Sequence, residues 1–103
     1  LKLVLSTLAH EDLFSIFSYI SINNPAVARR FTRELRDLCG RLAESPGIGK
    51  LRPELDRRDL GIKSFPYGNY LVFYYLAGKE LRVLRILHGA RNIDDDLLDI
   101  VEF

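Results

Sequence analysis

Apolar residues run first as a short block, then at spacings of three and four, then as near-continuous stretches, and each pattern predicts a different element. Leu3, Val4 and Leu5 read as a short strand, closed by Ser6 and Thr7, either of which can cap a following helix by accepting its free amide hydrogens. From Leu8 to Ile22 the positions Leu13, Ile16, Phe17 and Ile20 recur at helical spacing, with Glu11, Asp12, Ser15 and Ser18 on other arcs. Glu11 and Asp12 are expected in the first turn, where the helix dipole favours acids.

Asn23, Asn24 and Pro25 interrupt this pattern, because proline disfavours the α conformation in the residue before it and is well placed to open the next helix. The second helix has the clearest period, with Phe31, Leu35, Leu38 and Leu42 on one stripe and Arg29, Arg30, Arg33, Arg36 and Asp37 off it. Ser45, Pro46 and Gly47 end it, so the two helices form an antiparallel hairpin.

Residues 48–59 show no clean period and read as a loop. Leu60 to Pro66 is a strand, Tyr67 and Gly68 a turn, and Asn69 to Leu76 a strand with Tyr70, Val72 and Tyr74 on one face and Leu71, Phe73 and Tyr75 on the other. A strand so apolar on both faces is expected at the centre of the sheet. Ala77, Gly78 and Lys79 make a hairpin turn into Glu80 to His88, where Leu81, Val83 and Leu87 oppose Arg82, Leu84, Ile86 and His88. Asp94 to Phe103 reads as a helical turn or an added strand.

The order β-α-α-β-β-β gives an α+β domain, with an N-terminal strand and a helical hairpin packed on one face of a mainly antiparallel sheet. Consecutive helices joined tightly lie on the same face. The other face of the central strand then needs a cover, either from the C-terminal segment or from a partner chain.

At 103 residues, 48% of them hydrophobic and 28% charged, the chain is one globular domain. No stretch approaches the roughly 20 apolar residues of a membrane span, and the cytoplasm is the expected compartment. The net charge of +1 hides a basic middle, nine basic against four acidic residues over 50–91, followed by an acidic tail with five acids after Arg91. Such poles attract an acidic partner or let the tail fold back on the chain.

Lone Cys39, on the apolar side of the second helix, reads as a small buried hydrophobe, and His10 and His88 stand too far apart in sequence to suggest a metal site. Gly47-Ile48-Gly49-Lys50 lacks the spacing and context of a phosphate loop. No cofactor is expected. His88, at a strand end beside arginines, is the one candidate for acid or base work on RNA, with Lys63, Arg85 and Arg91 as charge stabilisers. The basic residues belong to no helix-turn-helix or RNA-binding motif, so sequence-specific binding of nucleic acid is not expected.

Several words of sequence, in order, resemble the ParE branch of the ParE/RelE toxins. They are Tyr19-Ile20, Asn24-Pro25 and Phe31 in the helical hairpin, Leu51-Arg52-Pro53-Glu54-Leu55, the run from Phe65 to Tyr74, and Arg85-Ile86-Leu87-His88-Gly89-Ala90-Arg91. The RelE branch cuts messenger RNA on the ribosome and typically carries an arginine where this chain has Leu71 and a tyrosine in its C-terminal segment, where this chain has none. Losing the central anion-stabilising group would lower such a rate on the order of a thousandfold.

The resemblance therefore implies a non-enzymatic toxin that inhibits DNA gyrase. A ParD-like antitoxin would neutralise it in a heterotetramer or larger assembly. Tyr70, Val72, Tyr74, Arg82 and Leu84 are assigned to antitoxin docking, and His88, Arg91, Leu97 and Leu98 to the target.

Overall fold

The computed structural model describes residues 1–90 and Ile93. Strand β1 (Lys2–Leu5) leads into α1 (Thr7–Ser21) and α2 (Pro25–Glu44), followed by β2 (Lys50–Leu51), β3 (Lys63–Tyr67), β4 (Tyr70–Ala77) and β5 (Glu80–His88). The sheet order is β1-β5-β4-β3-β2, with β1 parallel to β5 and every other pair antiparallel. The α+β architecture and the helical hairpin are as the sequence predicts. The two-residue β2 inside the expected loop is not, because it is too short to show a period.

Ser6 caps α1 by accepting from the Ala9 amide at 2.9 Å, and donates its own hydroxyl to the Leu84 carbonyl at 2.6 Å. One buried side chain thus starts the helix and ties it to β5. Asn24 caps α2 in the same way, accepting from Val27 at 3.1 Å, with Pro25 in the first helical turn. Because α1 begins at Thr7, Glu11 and Asp12 fall beyond its first turn, and the expected dipole role does not apply to them.

The main core lies between the hairpin and the sheet, where Leu13, Ile16, Leu35, Leu38 and Leu42 meet Val72, Tyr74, Leu81, Val83 and Ile86. Tyr74, fully buried, still satisfies its hydroxyl, which donates to the Pro46 carbonyl at 2.7 Å and accepts from the Gly49 amide at 3.0 Å. A side chain at Gly49 would collide with that hydroxyl, which explains the glycine there.

The expected alternation of β5 is broken by a bulge. Phe73 faces Arg85 but Tyr74 faces Val83, so Leu84 is an extra residue on β5. Beyond it the faces exchange: Ile86 joins Leu81 and Val83 under the helices, and Leu87 joins Leu84 and Phe73 on the opposite side.

That opposite side is not left bare. Phe73, Leu84 and Leu87 are buried there together with Leu55 and Ile62 from the α2–β3 connection, and Leu8, Leu60, Leu71, Tyr75 and Ile93 pack around them. The connection is held in shape by Asp56, whose carboxylate accepts from the amides of Leu60, Gly61 and Ile62 at 2.8, 2.7 and 3.0 Å. Arg52 donates to Ser64 at 3.1 Å and lies over the Phe73 ring at 5.7 Å. The expectation of an uncovered apolar sheet face is therefore corrected. The expected loop, through Leu55, and the start of the expected strand, through Leu60 and Ile62, supply much of that layer.

Candidate functional site: an aromatic groove at the end of the central strands

The tight Gly68-Asn69 turn, with Gly68 at a φ of +57°, brings β3 and β4 to one end of the molecule, where β5 also finishes. Tyr70 stands opposite His88 across the β4–β5 ladder. Their rings meet edge to face at 5.4 Å, and Phe31 of α2 meets Tyr70 at 5.8 Å and Tyr67 at 5.2 Å. Tyr19 and Ile20 from α1, with Phe31, Tyr70 and His88, line an open groove of about 510 Å³. Tyr19 is 73% exposed, so it presents an aromatic wall to an incoming group rather than to the core.

Burial raises the Tyr70 hydroxyl pKa above its ordinary value, with the neighbouring Tyr19 adding to the effect, so Tyr70 stays a neutral donor. Tyr67 donates a short hydrogen bond to Glu34, and this bond to a carboxylate is the main reason its own pKa is raised. His88 is exposed, and its Nδ1 accepts from the Ala90 amide at 3.2 Å, so Nε2 is the ring nitrogen that this bond does not use.

A second, smaller hollow of about 220 Å³ adjoins it, bounded by Asp12, Ser15, Tyr70 and His88. The spacing puts Asp12 off the apolar stripe of α1, yet it is buried and pairs with Arg85 through two hydrogen bonds of 2.8 Å. It also accepts from the Ile86 amide at 2.9 Å. Strand β1 ends opposite Val83, so on the side away from β4 no strand meets β5 at Ile86, and the carboxylate accepts from its amide there. Arg85 is thus committed to holding α1 on the sheet.

Among the described residues, the sequence-derived site residues do not assemble into one place. Lys63 pairs with Tyr74 and His88 with Tyr70, on strands either side of β4. Four residues along the strand and two strand spacings across it separate them by roughly 13 Å and 10 Å in the two directions. Leu71 packs on the face opposite Tyr70 and His88.

Of the residues assigned to antitoxin docking, Val72 and Tyr74 are 0% exposed beneath the helices and Leu84 is buried on the far side. None of the three can meet a partner in this fold, because both sheet faces are covered. Tyr70 stays partly accessible in the groove, and Arg82 is bonded to Glu80 and Tyr75. Arg91, Leu97 and Leu98 lie outside the described residues. Tyr19 and Phe31 were read only as parts of the hairpin; the available signal was that Tyr19 falls off the core stripe of its helix.

The sequence model of the ParE toxin of type II toxin–antitoxin systems, parDE, matches residues 3–93. This chain belongs to the ParE toxin family. Among curated relatives, Toxin ParE3 of Caulobacter vibrioides is 32% identical over 85 residues, which cover 80% of each chain. Toxin RelE2 of the same organism is 31% identical over 83 residues, covering 81% of this chain and 89% of that one. Among solved structures, one described as the chromosomal ParDE TA system from P. aeruginosa superposes with a TM-score of 0.69 at 19% identity, over 85% of this chain and 95% of its own. It shares the ParE fold described above. Among the described residues no group of three or more His, Cys, Asp or Glu is placed to hold a metal, and no helix is long and apolar enough to cross a membrane.

Proposed function

We propose that this ParE-family toxin acts by binding, inhibits DNA gyrase, and is silenced by a ParD-like antitoxin in a heteromeric complex. The observation that carries the non-enzymatic part is the engagement of Arg85 by Asp12, together with the wide separation of Lys63 from His88. Phosphoryl chemistry on RNA needs a base, an acid and an anion stabiliser within hydrogen-bond reach of the same phosphate. Here the exposed imidazole meets the Tyr70 ring edge to face and lines a groove with Tyr19 and Phe31. An aromatic groove with one polar tip suits the capture of a protein side chain, since rigid aromatic walls bury area at little entropic cost. Membership of the ParE family supports the gyrase target.

The deciding experiment adds purified chain to gyrase in supercoiling and cleavage assays, beside a translation extract probed for cut messages. Loss of supercoiling, relieved by the antitoxin, with messages intact is the expected result. Message cleavage abolished by His88→Ala would overturn it in favour of a ribosome-dependent nuclease.

A further inference from the structure

His88 and Tyr70 line both the aromatic groove and the smaller hollow beside it. The protonation of the His88 ring is set by the chain around it. Its Nδ1 accepts from the Ala90 amide, and a ring nitrogen that accepts carries no hydrogen, so the imidazole is the neutral tautomer with its hydrogen on Nε2. The turn that carries Ala90 is itself held, because the Gly89 amide donates to the Asn69 carbonyl at 2.8 Å. The Tyr70 ring steadies the imidazole from the neighbouring strand. His88 is thus an oriented N–H donor, and among the described residues nothing accepts from it.

The charge of the groove narrows what that donor can serve. No carboxylate, lysine or arginine lines it. An anion entering would give up hydration without meeting a full positive charge, which is costly. A cation would gain from the ring faces, but the hydrogen on Nε2 opposes it. A neutral oxygen needs only the one donor, and Tyr19, Ile20 and Phe31 supply apolar surface in the same groove. Resting on the reading of this chain as a toxin that acts by binding its target, we propose that His88 is a specificity-determining residue whose Nε2 hydrogen is donated to a main-chain carbonyl of the target protein, next to an apolar side chain that lies against Tyr19 and Phe31. The groove thereby selects an uncharged apolar segment and rejects a lysine or arginine side chain.

The test uses the full-length chain with purified gyrase, measuring affinity by calorimetry. Glutamine and asparagine separate the two ring nitrogens, since the amide nitrogen of glutamine reaches the place of Nε2 and that of asparagine the place of Nδ1. His88→Gln is expected to bind within about threefold of wild type and His88→Asn about tenfold more weakly, the effect of one lost hydrogen bond. Tyr19→Ala should weaken binding by about tenfold, and circular dichroism checks that each variant is folded. Equal, undiminished binding by the glutamine and asparagine variants overturns the proposal and leaves the gyrase reading standing. Equal loss in both, with folds intact, shows that the imidazole itself is required for proton transfer or charge, and also overturns it. Tighter binding by His88→Lys would assign the groove to a carboxylate, and weakening seen with the antitoxin but not with gyrase would assign it to the antitoxin; either result overturns the proposal. Failure of the wild type to bind gyrase overturns that reading and this proposal with it. Imidazole nitrogen chemical shifts of the free wild-type chain need no variant: a hydrogen on Nε2 is expected, and one on Nδ1 overturns the proposal whatever gyrase does.

Discussion

Asp12 shows how much one residue can decide. Its carboxylate serves a guanidinium and a strand amide at once, and the side chains of Asp12 and Arg85 are only 10% and 11% exposed. Removing one member of such a pair leaves the other charged and desolvated, which costs about 3–5 kcal/mol. Asp12→Ala is therefore expected to lower the unfolding free energy in urea by that amount. An exposed acid of the same helix, changed in Glu11→Ala, should move it by less than about 0.5 kcal/mol. Equal effects of the two substitutions would show that the pair does not anchor α1. The helical period puts Asp12 at the edge of the apolar stripe, four residues before Ile16, and Glu11 far from it, but periodicity does not report that Arg85 stands opposite Asp12.

Among the elements, the α2–β3 connection departs furthest from its sequence reading. Residues 48–59 have no repeating period and read as a loop, with a strand expected from Leu60, yet Leu55, Leu60 and Ile62 from this connection cover the second face of the sheet. Its folding depends on Asp56. Desolvation tends to raise the pKa of this carboxyl, but hydrogen bonds from the amides of Leu60, Ile62 and Gly61 outweigh it and hold the group below its ordinary value. A carboxyl with a depressed folded pKa stabilises the native state fully above its unfolded pKa of about 3.9 and loses that contribution as pH falls towards the folded value.

Asp56→Asn should thus flatten the fall of stability with pH below about 4 while lowering stability at neutral pH. The measurement is urea unfolding at a series of pH values. An unchanged acid limb in the variant would show that the loop is held by other contacts. The β5 bulge belongs to the same scale. A single inserted residue, Leu84, sends Leu87 to the face opposite the one its alternation suggests, and no local residue preference marks the insertion.

For the molecule as a whole, one sheet is covered on both faces by different means, helices on one and an irregular segment on the other. Strands β4 and β5 form its centre, with Val72, Phe73, Tyr74, Leu81 and Val83 fully buried. Their amides cannot exchange with solvent without losing both layers. Native-state hydrogen exchange should find the slowest amides in β4 and β5, at the free energy of global unfolding, and the fastest strand amides in β2 at the sheet edge. Slowest exchange in α1 or α2 would place the most stable unit in the hairpin instead.

The elements with strong periods were legible in the sequence alone: the capped helices, the proline-opened second helix, the two long strands and the family they jointly resemble. Each of these depends on a local repeat or on a residue type with one conformational use, and such information survives in a linear string. Which surfaces are exposed, which arginine is held by an acid, and which face a residue beyond a bulge takes depend on contacts between distant positions. Asp12 meets Arg85, Tyr74 meets Pro46, and Tyr70 meets His88 only after the chain has folded. The separation of candidate catalytic groups, and the aromatic groove that replaces them as the site of interest, were decided there, because pairing across the sheet and packing of the hairpin set distances that spacing along the chain does not encode.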